Sequence, residues 1–87
     1  MATANDESKA RAIISVLGGD RPGIVAAVTG ALADHDANIL DISQTILQGT
    51  FTMTMLVDLA DSDVDFAQIQ DQLQEISDKL GVQITMQ

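Results

Sequence analysis

Residues 39–59 read ILDISQTILQGTFTMTMLVDL. From Thr50 onward the run alternates cleanly, with Phe51, Met53, Met55, Val57 and Leu59 on one side and Thr50, Thr52, Thr54 and Asp58 on the other, which is the period of a strand with one buried face. Upstream, Leu40, Ile42 and Ile46 share one parity and Asp41, Ser43 and Thr45 share the opposite one. Gln48-Gly49 between the two runs is a short glycine-containing link, so the segment predicts an antiparallel hairpin.

On either side of this hairpin the pattern changes period and then changes back. Ile24, Val25, Val28, Ala31 and Leu32 recur at helical spacing, and small residues at 26, 27, 30, 31 and 33 let that helix sit close on a sheet. Phe66, Ile69, Leu73, Ile76 and Leu80 form a second helical stripe. Gly81 is the expected stop after it, and Ser62 with Asp65 makes a capping pattern before it. Residues 12–17, AIISVL, are apolar on both faces, as in a strand at the middle of a sheet, and residues 82–86 alternate as a last strand. The order is β-α-β-β-α-β.

Two βαβ halves with right-handed crossovers, joined by a hairpin, give an α+β, ferredoxin-like fold: a four-stranded antiparallel sheet with both helices on one face. The first and third strands are expected at the centre. The second face of the sheet is then uncovered, carrying Ile13 or Ile14, Leu17 and part of the hairpin, and an open apolar patch of this kind marks association. Residues 1–10 are small and polar and read as a loose tail, leaving one domain over residues 11–87.

The chain has 87 residues, 46% of them hydrophobic but only two aromatic, so its core is aliphatic and small enough for a partner subunit to add stability. Thirteen acidic residues against four basic ones give a net charge of −9, which repels phosphate backbones and anionic lipid, so neither nucleic acid nor a membrane is an expected partner. No apolar run reaches the ~20 residues needed to span a bilayer, and no secretory signal is read. The cytoplasm is the expected compartment. Without cysteine there is no disulfide, thiolate metal site or cysteine nucleophile.

No catalytic constellation emerges, and neither a metal nor a cofactor is expected. Asp61, Asp63 and Asp65 imitate the start of a calcium loop, but Phe66 stands where that loop needs glycine and Gln72 where it needs a bidentate Glu. His35 is the single histidine, near the end of the first helix, where it complements the helix carbonyls or faces solvent. Ser15, Ser43, Ser62 and Ser77 lie outside any nucleophile elbow. Met53, Met55 and Met86 are strand residues, best explained as core.

One turn stands apart. Gly18-Gly19-Asp20-Arg21-Pro22-Gly23 joins the first strand to the first helix, with Asp20 as candidate N-cap and Pro22 in the first turn. Its amides can approach a ligand closely at a helix N-terminus. The spacing is neither the Gly-x-Gly-x-x-Gly dinucleotide fingerprint nor a Walker loop.

Asp20-Arg21-Pro22-Gly23-Ile24-Val25, then Leu32-Ala33, then Ala37-Asn38-Ile39-Leu40-Asp41-Ile42-Ser43-Gln44, resembles the signature of ACT domains, the regulatory amino-acid-binding modules of metabolic enzymes. The resemblance runs from Arg11 to Met86. It is closest to the short stand-alone ACT proteins of bacteria and archaea grouped as UPF0237, and more distant to the tandem glycine-cleavage repressor proteins.

The resemblance implies a homodimer. It also implies an amino acid held between the loop after the first strand and the start of the second strand, often at a subunit interface. By position this nominates Gly18, Gly19, Asp20, Arg21, Pro22, Gly23 and Ile24 on one side and Asn38, Ile39, Leu40 and Asp41 on the other. The chemistry of these positions suits a zwitterion. Loop amides favour a carboxylate, Asn38 offers donor and acceptor, and Asp20 or Asp41 can accept from an ammonium group. A non-enzymatic regulatory module follows, with a regulated protein on a separate chain. The alternative is an interaction module that pairs its sheet without a small molecule.

Overall fold

The computed structural model describes residues 11–19, 22–60 and 66–87. Its elements are β1 (Arg11–Gly19), α1 (Ile24–Asp34), β2 (Asn38–Leu47), β3 (Thr50–Asp58), α2 (Phe66–Leu80) and β4 (Gln83–Met86). The four strands form one antiparallel sheet in the order β2-β3-β1-β4, with β3 and β1 central. This is the ferredoxin-like arrangement that the alternating periods predict. The expected tail at residues 1–10, Asp20 as a helix cap, the Ser62–Asp65 capping pattern and the acidic turn at residues 61–65 all lie outside the described residues.

The core forms where strand and helix stripes meet. Ile14 and Val16 of β1, Met53, Met55 and Val57 of β3, Val28 and Leu32 of α1, and Ile69 and Leu73 of α2 are buried together. Burying each such side chain contributes roughly 1.5–3 kcal/mol, which is why an aliphatic chain lacking Trp and Tyr still makes a core. The methionines at 53, 55 and 86 belong to this interior, as expected. Phe66 departs from its stripe and is 42% exposed at the start of α2.

The uncovered face is where β1 separates Ile13 from Ile14. Ile14 is fully buried under the helices, whereas Ile13 and Leu17 are 44% and 46% exposed on the opposite side. Register places Ser15 beside Thr54 and Thr85, and Leu17 beside Thr52 and Gln83, so the open face is mainly threonine, serine and glutamine with isolated aliphatics. Asp41, Ser43 and Thr45 continue it on β2, opposite Leu56, Thr54 and Thr52.

Strand β2 carries a feature that its parity does not reveal. Its register with β3 steps from Ile39–Val57 to Asp41–Leu56, leaving Leu40 as an extra residue in a β-bulge. The bulge resets the alternation, so that Ile39 faces the helices, Asp41 faces the open side, and Ile42 faces the helices again. Beyond Ile39 the helices no longer reach this strand, and Ile42 and Ile46 are left exposed.

The turns follow from backbone conformation. Gln48 (φ 51°) and Gly49 (φ 81°) close the hairpin with two left-handed residues, the geometry that matches strand twist. Helix α2 ends on Gly81 (φ 70°), whose N–H donates to the Ser77 carbonyl at 2.9 Å. Helix α1 ends with the same kind of closure: the N–H groups of Asp36 and Ala37 donate to the carbonyls of Ala33 and Leu32 at 3.1 and 3.0 Å. There the left-handed position is held by Asp36 (φ 58°) instead of glycine.

Candidate functional site: a glycine turn and the start of the second strand

Gly18, near the end of β1, and Gly23, just before α1, have different physical reasons for being glycine, and the expected turn at residues 18–23 is in part strand because β1 runs on through Gly18 and Gly19. A Cβ on Gly18 would stand 2.8 Å from Val82 Cγ1 and 3.1 Å from Val82 Cα, so the β1 end must be bare to let the α2–β4 connection pass. Gly19 has nothing within 4 Å of the same position. Gly23 is also open, but its φ of 90° is the left-handed region that side chains disfavour.

Gly23 occupies the N-cap position of α1, and no side chain among the described residues caps the helix there. Its carbonyl accepts from Ala27 N–H at 2.9 Å, so the first helical hydrogen bond is in place. Pro22 therefore precedes the helix instead of opening its first turn. Ile24 is 2% exposed, so its side chain belongs to the core and only its main chain can face a ligand. Asp20 and Arg21 lie outside the described residues. The first turn of α1 carries no acidic residue, which leaves its N-terminal dipole without a counter-charge from within the helix.

The second group of residues surrounds the bulge. Asn38 is exposed, Ile39 packs partly into the core, and Leu40 is 39% exposed. The Asp41 carboxylate accepts the Ile42 N–H at 2.9 Å, which fixes it above the open face. Asp41 and Ser43, with Thr54 and Leu56 from β3, line a shallow depression of about 140 Å³. Thr54 and Leu56 were not among the nominated residues; the hairpin register, which pairs Thr54 with Ser43, is the signal that reaches them.

The two groups stand at opposite ends of the sheet. Gly19 pairs with Thr50, and Thr50 with Leu47, at the far end of β2. Asn38 instead pairs with Asp58, and Asp58 with Arg11, at the start of β1. Eight residues of β1 separate the two levels, about 27 Å at the rise of an antiparallel strand. The reason is topological: α1 must travel back along the sheet before β2 begins. Within one chain, Gly18, Gly19, Pro22, Gly23 and Ile24 therefore do not meet Asn38, Ile39, Leu40 and Asp41.

The family-model comparison matches residues 10–87 to the ACT domain. The chain belongs to the ACT domain family. A UPF0237 protein of Methanopyrus kandleri is 49% identical over 77 residues, 88% of this chain and 86% of the relative. An ACT domain protein from Streptococcus pneumoniae superposes with a TM-score of 0.76 at 42% identity, covering 88% of this chain and 86% of that one. A putative glycine cleavage system transcriptional repressor shares the fold, with a TM-score of 0.78 at 23% identity over 88% of this ACT chain and 44% of the repressor.

His35 is the C-cap residue of α1, and its Nε2–H donates to Gln72 Oε1 on α2, so it ties the two helices together rather than only meeting carbonyls or solvent. No cluster of three or more His, Asp or Glu suited to a metal ion occurs among the described residues. No described helix is long and apolar enough to cross a membrane.

Proposed function

We propose that this ACT protein is a non-enzymatic regulatory module that binds an amino acid or a similar small molecule at the β1–α1 turn. The single observation that carries the reading is the left-handed Gly23 at a helix N-terminus that no described side chain caps, within the segment that carries the family resemblance. First-turn amides and the helix dipole suit the carboxylate of a zwitterion. An ammonium group needs acceptors, and Asn38 and Asp41 supply them.

Because those acceptors lie about 27 Å away along the same sheet, the second wall of the site comes from another copy of the chain. A homodimer is then part of the binding site, and a ligand bound between copies stabilises the assembly by linkage. Regulation of a separate protein follows from a ligand that changes how two copies are held. The negative charge of the whole chain remains unfavourable for nucleic acid.

The test is a thermal-shift screen of the twenty standard amino acids, repeated on Gly23→Val and Asn38→Ala. One or more amino acids is expected to raise Tm in the wild type, by an amount that grows with concentration, and both variants are expected to lose the shift. If no amino acid moves Tm or gives calorimetric heat, the amino-acid reading is wrong. The interaction-module alternative then takes its place.

A further inference from the structure

The β2–β3 hairpin closes at the end of the sheet where β1 runs out through Gly18 and Gly19. Gly18 pairs with Phe51 and Phe51 with Ile46, so Ile46 shares a cross-strand row with Gly18, two strand spacings or about 10 Å away. Residues opposite one another in a sheet share a face, and Phe51 is buried in the core on the helix side, so Ile46 is on the helix side too. Leu47, one residue on, pairs with the exposed Thr50 and takes the other face.

Ile46 is 59% exposed, and Ile42, on the same face of β2, is 39% exposed. Gln44 stands between them without charge. Helix α1 leaves β1 and returns to β2 by a right-handed crossover above β3, which turns the flank that carries Val25 and Thr29 toward β2. Val25 packs partly into the core, and Thr29 Oγ1 donates to the Val25 carbonyl at 2.7 Å, so the hydroxyl is spent on the helix backbone. Among the described residues, neither this flank nor the helix side of β2 carries a charge. The result is an apolar ledge, Ile42 and Ile46 beside Val25, that starts next to the first turn of α1 and that neither helix covers.

We propose that this ledge selects the side chain of the bound amino acid, so that the ligand is one with a branched aliphatic side chain: leucine, isoleucine or valine. The inference rests on the amino-acid reading above and names the class of ligand that the same site takes. With the carboxylate at the α1 amides, the side chain lies along Ile46 and Ile42, and apolar surface leaves water on both partners. A charged side chain would lose water there without a counter-charge among the described residues of the ledge. An acidic one would also meet the net charge of −9. Glycine would leave the ledge in water.

Calorimetric titration of the full chain with L-leucine, glycine, L-aspartate and L-lysine tests the assignment. L-Leucine is expected to bind at least about tenfold more tightly than glycine, the lower end of what a single methylene contributes in an apolar pocket. Aspartate and lysine are expected to bind no more tightly than glycine. Ile46→Ser is expected to lose most of the leucine preference while its affinity for glycine stays level, and Leu47→Ser, on the opposite face, is expected to keep that preference. Glycine, aspartate or lysine binding as tightly as leucine overturns the ledge and leaves the amino-acid reading standing. An Ile46→Ser protein that keeps the full preference does the same. Heat from none of the twenty standard amino acids removes both. Should Ile46→Ser fail to fold, the wild-type titration decides the selectivity by itself, and Ile42→Ser on the same ledge is expected to lose part of it.

Discussion

Replacing Gly18 by alanine separates a structural glycine from one that serves the turn. The new Cβ would meet Val82 Cγ1 at 2.8 Å, Cβ at 3.0 Å and Cα at 3.1 Å, and because backbone is among these atoms a rotamer change alone cannot relieve the contact. Overpacking of this kind costs about 1–3 kcal/mol, while alanine recovers roughly 0.5–1 kcal/mol of the entropy that glycine loses in a strand. The net loss then lies between about 0 and 2.5 kcal/mol, with a mid-range of ~1.25 kcal/mol that for a domain of this size lowers Tm by roughly 5–10 °C.

The neighbouring Gly19→Ala is the control, since nothing lies within 4 Å of its Cβ position, and its Tm is expected to stay level or rise slightly. Both are measured by thermal and urea unfolding monitored at far-UV wavelengths. Val82→Ala removes Cγ1, the atom nearest the new Cβ, and should make the Gly18→Ala loss smaller in the Val82→Ala background than in the wild type, a less-than-additive destabilisation in the double-mutant cycle. Equal Tm values for Gly18→Ala and Gly19→Ala would refute the packing argument. So would strictly additive losses with Val82→Ala.

Two further outcomes follow from the turns. Asp36 occupies a left-handed position (φ 58°) at the end of α1, so Asp36→Gly is expected to raise stability by up to about 1 kcal/mol, read as a higher urea midpoint at unchanged slope. Gln48 holds the first left-handed place of the hairpin turn (φ 51°), and Gln48→Asn is expected to add a few tenths of a kcal/mol, seen as slower amide exchange at Leu47 and Thr50.

Much of the fold is legible in the residues because period reports burial. Alternation from Phe51 to Val57 and the helical recurrence of Ile24, Val28 and Leu32 each name the face that meets the core, and those faces are buried. The Leu40 bulge escaped because one inserted residue shifts parity without changing composition. Phe66 escaped because an apolar residue at a helix start is indistinguishable, by spacing alone, from one that packs. His35 showed its position at a helix end but not its partner Gln72, thirty-seven residues on, since long-range side-chain pairs leave no periodic trace.

The same distinction runs through the candidate site. Local chemistry by itself determined that the first helix opens just after Pro22-Gly23, that the chain lacks the pieces of a phosphate loop, and that it carries the ACT signature. Only tertiary structure decided that Gly18 is bare because Val82 passes beside it, and that the turn and the Asn38–Asp41 segment stand at opposite ends of the sheet. Spacing along a chain measures how many residues intervene. Whether those residues bring two segments together or carry them apart depends on the direction in which α1 crosses the sheet, and that is set by packing the whole domain.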